Sequence, residues 1–224
     1  MSTLIKPDHV LVLRTVAANR VSHSGFVWPR EGLVEAPDWN PKAVCGGGLH
    51  GWLWGEGNGS LGNFNDDAIW QIVSVKAEDI VNLDEKVKFP RGEVVASGNR
   101  LEITNMLQAN APGRRVIGAV VTAGYNGTAV AGDGGTATAG PYGTATAGDG
   151  GTAVADDRGT ATAGYNGTIE LVRWDTDARR YRRVVGYVGE DGIEANTPYC
   201  LDPEGKLVKK SNLSAETPST ELPL

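Results

Sequence analysis

The sequence predicts a mixed fold: an N-terminal α+β globular domain, then a short two-sided parallel β-solenoid built of 16-residue coils, then a small β cap. Three observations lead there. Residues 119–174 read as seven consecutive octads, AVVTAGYN, GTAVAGDG, GTATAGPY, GTATAGDG, GTAVADDR, GTATAGYN and GTIELVRW, without an insertion or deletion. Glycine respects the same boundaries, with 14 of the 31 in residues 1–118, 13 in 119–174 and 4 beyond. Five of the six tryptophans, Trp28, Trp39, Trp52, Trp54 and Trp70, precede the repeat, which places the large apolar core in the first segment. The expected domains are therefore 1–118, 119–174 and 175–224.

A fixed short period is the mark of a stack in which one repeat cannot bury a face alone but neighbours can. Within an octad such as Gly135–Tyr142, five residues alternate Thr and Ala and the next three form a turn. Period 2 sends Thr136 and Thr138 to one side and Ala137 and Ala139 to the other. No Leu, Ile, Phe, Trp or Met occurs between Gly127 and Asn166, so the interior must be filled by methyl-sized groups and must be thin. Two octads per coil, with strands back to back, Ala inside and Thr or Val outside, satisfy this. The glycines exclude a helix, since each interior Gly costs about 1 kcal/mol against Ala.

The octads from Ala123 to Thr138 resemble the 16-residue coils of bacterial ice-nucleation proteins. That resemblance implies Thr-x-Thr pairs at Thr136/Thr138 on one face and at Thr144/Thr146 and Thr160/Thr162 on the other. It also implies a tyrosine ladder for dimer contacts. Here Tyr125 and Tyr165 fall in opposite half-coils, with Pro141 and Asp157 at equivalent places, so a continuous ladder is not expected. At about 4.8 Å per coil the stack rises only about 17 Å, too short to template a large ice embryo.

The flanks look able to close the solenoid. Ile169 and Leu171 replace Ala in the last octad, Arg183–Val188 reads as a strand, Gly189–Gly192 as a turn, and 196–209 as extended chain ending in a flexible tail. Ahead of the repeat, Val10–Val16, Trp70–Val75 and Lys86–Val95 read as strands and Leu101–Ala109 as a helix. The string Cys45-Gly-Gly-Gly-Leu-His50, with Trp70–Val75 and Lys86–Gly92, resembles an uncharacterised domain of bacteriophage and prophage proteins, which implies a viral origin. The same loop resembles the glycine-aromatic strand of ADP-ribosyltransferases, with Arg14 as a first-strand residue, but the remaining strings of that family are absent.

Composition limits the functional classes. The chain has 224 residues, 40% hydrophobic and 21% charged, with a net charge of -6. Nothing resembles a run of about 18 apolar residues that crosses a membrane, and no basic arm is long enough to displace counterions from double-stranded nucleic acid. The two cysteines, Cys45 and Cys200, make neither a disulfide framework nor a zinc motif. With no cleavable leader pattern behind Val10–Leu13, a cytoplasmic location is expected, that of the host cell if the protein is viral. No metal and no cofactor are expected.

The favoured reading is a non-enzymatic binding or structural protein whose solenoid is an interaction or oligomerisation surface. Its partner is a second copy, giving a dimer, or another protein, a host defence component included. The surface is Thr128, Thr136, Thr138, Thr144, Thr146, Thr152, Thr160 and Thr162 with Tyr125, Tyr142 and Tyr165, and the basic cluster Arg179, Arg180, Arg182 and Arg183 is a further patch. One alternative is weak ice binding through the Thr rows. The other is an N-terminal enzyme, either ADP-ribosyltransferase-like or using Cys45 with His50 and Arg14, because a thiol beside an imidazole is the arrangement that activates a nucleophile.

Overall fold

The structure is a computed structural model that describes residues 4–22 and 25–213. It divides into two compact units: the chain up to Val120 together with Ala131–Gly135, and Val121–Val130 with the chain from Thr136 onward. The first unit holds β1 (His9–Val16), β2 (Gly32–Glu35), β3 (Leu49–Leu53), β4 (Ile69–Lys76), β5 (Val81–Asn82), β6 (Val87–Phe89) and β7 (Arg91–Gly98), followed by helix α1 (Arg100–Asn110). The strands form one antiparallel sheet in the order β2-β7-β4-β1-β3-β6-β5. The α+β class thus holds, and the expected strand over 86–95 is two strands. Pro90 separates them because it has no N–H to give a ladder, while its carbonyl accepts from Ala36 at 2.7 Å.

Alternation along these strands buries both faces of the sheet. Val12, Trp28, Leu49, Val73, Val87, Phe89 and Val94 belong to one cluster. Leu11, Leu13, Trp70 and Ile72 are buried as well, and α1 packs on β4 through its buried Ile103 and Leu107. The helix begins where it does because Asn99 and Glu102 form a reciprocal capping box.

The second unit is the solenoid. Its odd octads supply β8 (Val120–Ala123), β10 (Thr136–Ala139), β12 (Thr152–Ala155) and β14 (Thr168–Asp175), and its even octads β9 (Thr128–Val130), β11 (Thr144–Thr146) and β13 (Thr160–Thr162). Each set makes its own parallel sheet, with partners one coil apart: Thr136 opposite Thr152, Ala137 opposite Ala153, Thr144 opposite Thr160. Ala137, Ala139, Ala145, Ala147, Ala153, Ala155, Ala161 and Ala163 are at most 1% exposed, and Ile169 and Leu171 take over at the last rung. The interior is one methyl deep from each side, as the composition demands.

Glycine serves the corners in two distinct ways. The eighth residue of the first six octads always has left-handed backbone: Asn126, Gly134, Tyr142, Gly150, Arg158 and Asn166, with φ between 54 and 62°. The first glycine of an octad is needed for room instead. A Cβ on Gly143 would lie 2.7 Å from the Gly127 carbonyl oxygen and 2.8 Å from both Ala139 Cβ and the Gly140 oxygen. Backbone bonds tie successive corners together, from Asn126 N to Pro141 O (2.9 Å), Tyr142 N to Asp157 O (2.9 Å) and Gly150 N to Tyr165 O (2.8 Å).

The C-terminal end of the stack is closed by antiparallel strands, β15 (Arg180–Tyr187), β16 (Tyr199–Leu201) and β17 (Leu207–Lys209). β15 pairs with all eight residues of β14, and Tyr199 of β16 pairs with Ala161 of β13. The edge that β15 presents carries arginines, a charged boundary that resists further strand addition. The expected flexible tail, from residue 214, lies outside the described residues.

Candidate functional site

The outward positions of the odd sheet carry Thr136, Thr138, Thr152, Val154, Thr168 and Glu170 in register. Those of the even sheet carry Thr128 and Val130, Thr144 and Thr146, and Thr160 and Thr162. Thr128 is exposed and most others are half-buried, but Thr160 is only 6% exposed. It sits on β13, the rung to which the cap strand β16 is joined. The continuous Thr row on the even sheet therefore shortens toward the cap.

One corner of the stack forms a ridge. The Tyr125 and Tyr142 rings lie 5.5 Å apart, and Arg158 donates to the Tyr142 hydroxyl at 2.8 Å while lying 5.5 Å from its ring centre. All three side chains are exposed. Tyr165 is on the other corner, where its backbone N–H donates to Asp149 Oδ1 at 2.8 Å. Tyr142 joins Tyr125 although it stands one place later in its octad, a pairing hidden from residue-by-residue alignment of the repeats. Tyr142 and Arg158 occupy left-handed backbone, where Gly or Asn is relaxed and a bulky residue is strained by about 1–2 kcal/mol.

The arginine cluster is divided by the strand that bears it. Arg179 is in the hairpin turn with φ 51°, and Arg182 and Arg183 point to opposite sides of β15. Arg182 pairs with Asp175 at 3.1 Å, and Arg183 pairs with Glu170. The outward side of the β14–β15 hairpin also exposes Trp174, Tyr181, Val185 and Tyr187, with Trp174 and Tyr181 edge to face at 5.1 Å.

In the first unit, Arg14 lies in β1, His50 in β3 and Cys45 in the loop before β3. Arg14 is 7% exposed, its guanidinium 3.2 Å from the Trp28 ring centre, with Nη1 donating to the His50 backbone oxygen at 3.2 Å. Burial pushes its pKa down to about 9. Arg14 shares the face of Gly51, so the His50 ring, one residue away in β3, is on the opposite face. His50 hydrogen-bonds the Gly48 backbone and its Nε2 is buried with no partner. Burial first, then Lys86 and Lys88, hold the imidazole below its usual pKa. Cys45 is exposed.

Sequence reasoning missed Lys88. It is fully buried opposite His50 in the β3–β6 register and donates to the carbonyls of Val44 and Gly46 at 2.8 and 3.1 Å. The ammonium thus organises the loop around Cys45. Only the strand pairing makes that role visible.

A family model described as a domain of unknown function (DUF4774) matches residues 119–169. Over 108 residues, 47% of this chain, an ice nucleation protein of Pseudomonas fluorescens is 43% identical. One from Pseudomonas syringae is 40% identical over 104 residues, 46% of the chain, and one from Xanthomonas campestris pv. translucens 37% over 107 residues, 47% of the chain. The central octads are similar to ice nucleation protein repeats. The match spans 9%, 9% and 7% of these relatives' own lengths. No solved structure matches the chain. Repeats of this kind on a two-sided solenoid support a structural role. They also overturn the expected cytoplasmic location, because ice nucleation proteins belong to the bacterial outer membrane. Among the described residues, no helix is long and apolar enough to cross a membrane, which says nothing of a β-barrel.

Proposed function

We propose that this is a non-catalytic structural protein whose solenoid is a rigid assembly surface, used by a second copy of the chain or by a protein partner. The ridge of Tyr125, Tyr142 and Arg158 carries the reading. Two of its members are large, exposed side chains kept on strained backbone, and the opposite corner has Gly134 and Gly150 at the same positions. Exposed strain of this kind points to use of the surface. If the N-terminal region is of phage descent, as its resemblance implies, the partner is a host protein, a defence component included. Size determination together with pull-down from bacterial lysate tests this: a strict monomer that retains nothing would refute it.

A second reading, weak ice binding, is favoured by the register that stacks Thr144 on Thr160 and Thr146 on Thr162. Rows of hydroxyls and methyls about 4.8 Å apart along the stack can order water. Since Thr160 is covered, the residues to change are Thr144 and Thr146. Thr144→Tyr and Thr146→Tyr should each abolish ice-crystal shaping, and a parent protein that never shapes ice ends the reading.

A further inference from the structure

A second feature of the solenoid unit points to a ligand of its own. β14 and β15 continue beyond the corner at which the earlier coils turn, and the hairpin so formed walls a groove of about 380 Å³ on the odd sheet. Thr122, Thr138 and Val154 line one side, in a column of one residue per coil. Val172, Tyr181 and Arg183 line the other. Tyr181 is 61% exposed and braced by Trp174. Asp156 stands at the corner beside them.

The chemistry of this lining selects among ligands. It offers hydroxyls and methyls at regular spacing, one ring face, one planar guanidinium and one carboxylate. The groove has no Leu, Ile or Met to receive an apolar helix. It does not suit a polyanion, because Arg183 is neutralised by Glu170 and Asp156 adds a negative charge. A neutral sugar chain presents both C–H faces for an aromatic ring and hydroxyls for Thr, Asp and Arg, and a cleft of this volume falls in the range of small-ligand sites. We infer that the groove between the odd sheet and the β14–β15 hairpin binds a neutral oligosaccharide, with Tyr181 as its stacking platform. This site goes beyond the assembly surface and does not depend on it.

Calorimetric and NMR titration of the full chain with maltohexaose, cellohexaose and the N-acetylglucosamine hexamer tests the inference. At least one should bind with a Kd in the millimolar range or tighter. Tyr181→Ala should weaken it about tenfold or more, a loss near 1.4 kcal/mol, while Tyr181→Phe retains it and Tyr165→Ala on the far corner leaves it unchanged. Failure of all three sugars to bind at about 10 mM, where a millimolar Kd would already give near-saturation, would overturn it. So would binding that survives Tyr181→Ala in a folded protein.

Discussion

Gly143→Ala isolates the packing demand that makes the coil possible. The added methyl would meet the Gly127 oxygen at 2.7 Å and Ala139 Cβ and the Gly140 oxygen at 2.8 Å. None of these is the end of a flexible side chain, so two rungs must move apart to admit it. Overpacking of a close-packed interior costs about 1–3 kcal/mol, and with backbone on two sides the upper end, about 3 kcal/mol, is expected. For a chain of this size about 1 kcal/mol shifts Tm by about 2–4 °C, which puts the solenoid transition about 6–12 °C lower. Gly150→Ala is the control. It has φ +62° but open space around it, so only the left-handed strain of about 1 kcal/mol applies, for a fall of about 2–4 °C. Melting followed by circular dichroism reads both. Equal melting of the two variants, or a lower value for Gly150→Ala, would refute the division of corner glycines into those needing room and those needing positive φ.

Other outcomes follow from the same geometry. Tyr142→Gly removes the left-handed strain of about 1–2 kcal/mol together with the ring pair, about 0.5–1.5 kcal/mol, and the exposed hydrogen bond from Arg158, so chemical denaturation should find the monomer's stability nearly unchanged while self-association weakens. The folded pKa of His50 lies below its unfolded value of about 6.5, so between the two only the unfolded chain binds the proton and stability falls as pH drops below about 6.5. His50→Gln should flatten that part of the stability-against-pH curve, and an unchanged slope would remove His50 as its source. Lys88→Met leaves the Val44 and Gly46 carbonyls without their donor, which should loosen the loop and speed hydrogen exchange in residues 44–48. Protection equal to the parent's would show that the ammonium does not hold the loop.

Much of the second unit was legible because its period is rigid. Thr and Ala at alternate positions fix which side is buried, and the lack of larger apolar residues between Gly127 and Asn166 fixes the thickness. The first unit was harder to read, since β2 and β3 have no run of β-formers: Gly-Leu-Val-Glu and Leu-His-Gly-Trp-Leu are strands because their neighbours pair with them. The site followed the same division. Exposed Tyr and Thr could be read from phase, whereas the Tyr125–Tyr142 contact, the covering of Thr160 and the Trp174–Tyr181 pair depend on how corners and cap strands are joined in space. The arginine cluster, contiguous in sequence, is divided by the alternation of the strand it occupies.

Self-association through the ridge is tested most directly by sedimentation velocity of the full chain across the micromolar range, alongside Tyr125→Ala. Tyr125 is exposed and half of the ring pair, so its loss should leave the fold intact. The expected result is reversible dimerisation in the parent and a monomer in the variant at the same concentrations. A dimer unaffected by Tyr125→Ala, or a parent that stays monomeric and retains no partner from lysate, would contradict the account.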